Sequence, residues 1–195
     1  NSESITGRTR PDAIIGQTPC LDERGFGAMT DLSLRLAAQR FPPNDLRAAL
    51  AQQLAVLEVA DEALAACGPL DGTATGVYVG MGTDTEAARF GIRWRLAAMA
   101  QEWGQTEEWT AEARDASGPP LTAAGVLGTM PNIVANRLNS QYDFAGPSFA
   151  VSAEERSGIE ALEIATRALR SHEIDAALVG AVDLCCAPVH IAAAE

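Results

Sequence analysis

The stretch that most constrains what this chain can fold into runs over residues 146–183. It begins Gly146-Pro147-Ser148-Phe149-Ala150-Val151, turns through Ser152-Ala153-Glu154-Glu155, and closes on the apolar run Ala176-Ala177-Leu178-Val179-Gly180-Ala181-Val182 before Asp183. Ile159, Leu162, Ala165 and Leu169 recur at three- and four-residue steps, with Glu160, Glu163, Arg167 and Arg170 on the other side. That periodicity predicts a helix over residues 156–169 with the first set buried. Arg167 and Arg170 fall in the last turn, where cations suit the helix dipole. The unbroken apolar run 176–182 suits a strand covered on both faces by helices. The order strand, tight turn, helix, buried strand is an α/β layer. Chemistry in such a layer usually sits at the turn, where unpaired helix amides point at whatever lies there.

The turn itself reads as a Ser-x-x-Glu capping box. Ser152 would accept an amide of the first helical turn and Glu155 would reach back to the serine amide. Each such contact stabilises a helix by roughly 0.5–2 kcal/mol. A purely structural cap and a functional role are both open for Glu155. Even as a cap, its carboxylate would occupy the amides at the helix start.

Gly146-Pro147-Ser148, the elbow after it, and Glu173-Ile174-Asp175-Ala176-Ala177-Leu178-Val179-Gly180-Ala181-Val182-Asp183 resemble the β-ketoacyl synthase (ketosynthase) family of the thiolase fold. The resemblance implies an α/β protein, the N-terminal half of a thiolase-like fold with a mixed sheet covered by helices. In that family the elbow carries the acyl-accepting cysteine. Laid without gaps from Gly146, this sequence places Glu155 at that position. A carboxylate is a poor substitute as acyl acceptor, because the role needs an activated thiolate and an acyl-carboxylate would be a labile anhydride. Thr129-Met130-Pro131-Asn132-Ile133-Val134-Ala135-Asn136-Arg137-Leu138, followed by Ser152-Ala153-Glu154-Glu155, resembles the chain-length-factor-like domains of polyunsaturated fatty acid synthases and iterative polyketide synthases. By resemblance, Met130, Asn132, Ile133, Asn136 and Phe149 are candidates for the acyl pocket or the dimer contact, although core packing would explain them equally.

The rest of the chain supplies the frame. Residues 1–40 are poorly defined in pattern: residues 12–16 are a faint strand candidate, and Leu32, Leu34 and Leu36 suit either a strand or a helical turn. Pro42-Pro43-Asn44 signals a helix start capped by Asn44, and Leu46, Leu50, Leu54, Leu57, Ala60 and Leu64 then predict one helix up to Gly68-Pro69. Residues 75–80 predict a strand ending in Gly80-Met81-Gly82, whose spacing lacks the rest of a dinucleotide fingerprint; the glycines are expected where the backbone passes close to the sheet edge. Residues 86–109 predict helix in one or two pieces broken at Gly91 or Gly104, and Arg89, Arg93, Trp94 and Arg95 form an amphipathic stripe open to a phosphate or partner contact. A polar loop is expected over residues 111–120, a helix opened by Pro131 over 121–137, and a polar turn over 139–143.

Composition narrows the function classes. The 195 residues are 47% hydrophobic, enough for a core. No apolar run nears the ~20 residues of a membrane span and the start lacks a signal-peptide pattern, so a cytoplasmic location is expected. A net charge of −12 argues against nucleic acid and anionic membranes as partners. Cys20, Cys67, Cys185 and Cys186 have no metal-ligand spacing, which predicts buried or incidental thiols and no metal site.

The expectation is therefore a catalytically silent ketosynthase-like domain over residues 41–195, truncated at its C-terminal end. By resemblance it pairs with an active ketosynthase through residues 148–152 and the helix after Pro131, helps shape the acyl channel, and needs its missing C-terminal half to cover one sheet face. No cofactor of its own is implied; the phosphopantetheine of an acyl carrier protein carries the substrate. His172 and His190 lie in no histidine motif of the family. Two enzymatic alternatives stay open: a decarboxylase acting on a malonyl-carrier thioester, and an active synthase with a displaced cysteine at Cys185 or Cys186.

Overall fold

The computed structural model describes residues 13–17, 31–84 and 87–184. Three strands, β3 (Thr75–Met81), β4 (Ser148–Val151) and β5 (Ala176–Val182), form a parallel sheet in the order β4-β3-β5. A separate antiparallel pair joins β1 (Ala13–Gln17) to β2 (Asp31–Arg35), which resolves the Leu32–Leu34 ambiguity in favour of a strand. Between β3 and β4 run α3 (Ala87–Glu102), α4 (Glu107–Ser117), α5 (Ala123–Thr129) and α6 (Ile133–Tyr142); α1 (Pro43–Arg47) and α2 (Ala51–Cys67) precede β3, and α7 (Ser157–Arg170) links β4 to β5. No helix among the described residues is long and apolar enough to cross a membrane.

β3 is the axis of the fold, buried along its whole length. Alternation along the strand divides the core in two. Val77, Val79 and Met81 join Leu54, Leu57, Val134 and Leu138 on the α2 and α6 side, whereas Tyr78 packs with Ala161, Ala165, Ala168 and Ile174 on the α7 side. Each fully buried leucine contributes about 1.5–3 kcal/mol, so the α2–α6 face is the larger source of stability.

Five expectations need correction. The single helix after Pro42 is two, with Pro42 rather than Asn44 at the cap, because α5 seats on the gap: the Leu50 amide donates to the Gly128 carbonyl at 3.0 Å, and Gly128 has no room for a β-carbon against the Ala48 carbonyl. Residues 111–117 are helix, since Thr106 caps α4 by accepting the Trp109 amide at 3.2 Å, and Arg93 clamps its far end by donating to the carbonyls of Arg114 and Gly118. That contact gives Arg93 a structural task within the arginine–tryptophan stripe. Residues 139–142 complete α6, which ends at left-handed Asp143 (φ 57°). β5 is an edge strand, partly exposed, and Gly180 and Ala181 are open to solvent.

The fifth correction concerns α7. Its bounds agree with the sequence to one residue, but the buried face is Ser157, Ala161, Ala165 and Ala168, while Ile159, Leu162 and Leu169 are 59%, 56% and 39% exposed. Small residues let the helix lie against the sheet; a β-carbon on Gly158 would already be 2.8 Å from the Ala181 β-carbon. The bulky apolar stripe faces away.

Candidate functional site at the elbow after β4

Because the three strands run parallel, the β4–α7 elbow lies at their carboxyl ends with Gly82–Asp84 after β3 and Asp183 after β5. Open α/β sheets place ligands at that end. The elbow is tight. Glu154 adopts φ 52°, a left-handed conformation that costs a non-glycine residue roughly 1–2 kcal/mol. Ser157 holds it: its Oγ accepts the Ala153 amide at 2.9 Å and donates to the Glu154 carbonyl at 2.6 Å. The Arg156 amide donates to Ala153 O at 3.0 Å and the Ser157 amide to Glu154 O at 3.1 Å.

The Ser152–Glu155 capping box does not form. The cap position of α7 is Arg156, which makes no side-chain cap bond, and Ser152 and Glu155 are both exposed. The reason is local. The two turns across Ala153 and Glu154 push the helix start to Ser157, so Glu155 falls before the helix instead of at its third position. Arg156 donates instead to Glu160 at 2.7 Å. The sequence signal for the real anchor was Ser157 itself, a small hydroxyl between the elbow and Gly158.

The other candidates do not converge. Met130 ends α5 and is 38% exposed, and its carbonyl accepts the Ile133 amide at 3.2 Å. Asn132 is the exposed cap residue of α6, with no side-chain cap bond; Ile133 is half-buried and Asn136 exposed. These four belong to α6 and its approach, and α6 shares the core with Val77 and Val79. Phe149 pairs in register with Tyr78, whose ring belongs to the α7 side, and the two rings meet edge to face at 5.2 Å between centroids. Phe149 is 41% exposed and lines an open cleft of about 560 Å³ with Ile164, Arg167, Arg170 and Glu173. A second, apolar cleft of about 290 Å³ separates α2 from the β5 edge, lined by Val56, Val59, Leu178 and Val182.

Among the described residues no cluster of three or more His, Cys, Asp and Glu side chains could hold a metal ion. Cys67 is an exposed thiol; Cys20, Cys185, Cys186 and His190 lie outside the described residues, and His172 sits just past α7 with φ 57°.

Comparison with known proteins matches this arrangement. Residues 21–195 match the family model described as beta-ketoacyl synthase, N-terminal domain. The chain is 31% identical over 143 residues to a polyunsaturated fatty acid synthase polypeptide of Thraustochytrium, covering 70% of this chain and 6% of that protein. It is 35% identical over 141 residues to a highly reducing polyketide synthase of Emericella nidulans, covering 70% and 5%. Among solved structures it resembles the PfaC keto synthase-chain length factor protein, with a TM-score of 0.62 and 28% identity over 71% of this chain and 16% of that one. The chain thus spans a small fraction of each relative. With the parallel sheet, the elbow and the family match in agreement, the chain belongs to the β-ketoacyl synthase family, through that family's N-terminal domain, and has its thiolase-like fold.

Proposed function

We propose that this domain is catalytically silent and acts as a chain-length factor. In this reading it pairs with an active ketosynthase and helps shape the acyl channel of a fatty acid or polyketide synthase. The observation that carries the reading is an exposed Glu155 on a fully built elbow, with the turn, its serine lock and the close-packed helix intact; by the ungapped resemblance, this carboxylate stands where the family has its nucleophile. The likeness to a keto synthase-chain length factor protein supports it.

The surface suits a partner role. β4 is an edge strand with exposed Phe149, and it is the strand proposed to meet the ketosynthase. The apolar face of α7 and the β5 edge are proposed to be covered by the remaining half of the condensing-enzyme fold. The acyl carrier protein, with its phosphopantetheine arm, would deliver chains to the paired ketosynthase in the cytoplasm. A decarboxylase role is disfavoured, because a carboxylate at the elbow repels both a malonyl carboxylate and the enolate that follows.

The test is Glu155→Gln and Glu155→Cys in the complete synthase, scored for malonyl decarboxylation, acyl loading of this domain and product length. The silent reading expects no acyl loading of the unaltered domain. A labelled acyl group recovered covalently on the unaltered domain would overturn it.

A further inference from the structure

α5 ends in a way that leaves a specific backbone group to be satisfied from elsewhere. In a continuing helix the amide of residue 131 would donate to the Leu127 carbonyl. Residue 131 is proline and has no amide hydrogen. The vacancy is filled by Gln53, in the first turn of α2: its Nε2 donates to Leu127 O at 3.0 Å and to Met130 O at 3.1 Å. Gln53 is 1% exposed. The neighbouring carbonyls are served too, Gly128 O by the Leu50 amide at 3.0 Å and Val126 O by the Thr129 hydroxyl at 3.0 Å.

We propose that Gln53 is a positioning residue that replaces the amide Pro131 lacks, so that α2 holds the Met130 turn in place. A buried Gln Oε1 without a partner is a cost, and this one has none among the described residues. What the fold obtains in exchange is a side-chain amide shared between the carbonyls of Leu127, in the last turn of α5, and Met130, just before Pro131. An apolar residue of the same size would fill the space, strip Leu127 O of this donor and leave Met130 O with the Ile133 amide alone. The functional half rests on the reading above, in which Met130 borders the acyl channel: a fixed turn would give that channel a fixed wall.

The test begins with amide hydrogen exchange on this chain. Gln53→Met should raise exchange over residues 127–133 about tenfold while leaving α7 unchanged. In a Pro131→Ala background, where residue 131 brings its own amide, the same substitution should change exchange there by less than about twofold. No change over 127–133, or an equal change in both backgrounds, overturns the proposal. Should Gln53→Met fail to fold, the side-chain amide hydrogens of Gln53 in the unaltered chain decide: slow exchange supports the clamp, and exchange at the free-amide rate overturns it. In the complete synthase, Met130→Trp tests the channel and Gln53→Met the clamp. A shift in product length from Met130→Trp together with a broadened distribution from Gln53→Met supports both. A shift from Met130→Trp alone overturns the functional role of Gln53. No shift from Met130→Trp with the expected exchange result removes the channel reading and supports the clamp.

Discussion

Gly80 in β3 and Gly158 in the first turn of α7 are in direct backbone contact: a β-carbon on Gly80 would stand 2.5 Å from the Gly158 amide nitrogen. Gly80 shares the face of Tyr78, so its side chain would enter the α7 layer where rigid backbone leaves no space. Gly80→Ala should therefore destabilise the chain by about 1–3 kcal/mol, the usual cost of overpacking. An unchanged urea midpoint would show that α7 can retreat freely.

Ser157, and not Ser152, anchors the elbow. Ser157→Ala removes a donor and an acceptor from the turn and should cost about 1–3 kcal/mol. Ser152→Ala, at an exposed position without a cap bond, should stay within about 0.5 kcal/mol. Paired denaturation curves check the contrast, and equal losses would restore the capping box.

Glu58 on α2 gives a pH-dependent prediction. Burial pushes its pKa above the usual 4.5, opposed by Arg35 and reinforced by Asp61 and Glu62. Asp61, on the same helix, accepts the Tyr142 hydroxyl from α6 and the Gln39 side-chain amide. A raised folded pKa means that the stability contributed by neutral Glu58 is fully present below the unfolded pKa and is lost as pH rises through the folded one. At neutral pH the charged form opposes folding. Glu58→Gln should raise the urea midpoint at pH 7, with the advantage shrinking as pH falls toward 4. A gain that persists unchanged at pH 4 would assign the effect to something other than charge.

Leu162 tests the outer face of α7. At 56% exposure, Leu162→Glu should alter the stability of this chain by no more than about 0.5 kcal/mol. In the complete synthase the same change should lower the melting temperature by several degrees, if that face is covered as proposed. Equal small effects in both settings would leave the stripe uncovered.

Much of the layer was legible because it depends on local pattern. The strands at β3 and β5, the helix between β4 and β5, and the break at Pro131 each follow from periodicity, glycine and proline acting over a few residues. The failures share a cause. The α1–α2 break exists because α5, from a distant part of the chain, docks there, as the Leu50–Gly128 bond shows. The α4 helix was hidden by its polar surface. The cap at Ser152 was a valid local motif defeated by the two turns that Ser157 ties together.

Sequence alone determined the α/β class, the family resemblance and the glutamate at the elbow, since residue identity and short-range spacing suffice for all three. Tertiary structure decided which face of α7 is buried. Periodicity reports that a helix has an apolar side. Only close approach to the sheet, with Gly80, Gly158 and Ala181 in contact, selects the alanine face and leaves Ile159 and Leu162 outward. The role of Gln53 was decided the same way, because a glutamine becomes a clamp only when a carbonyl deprived of its amide by a distant proline is folded against it.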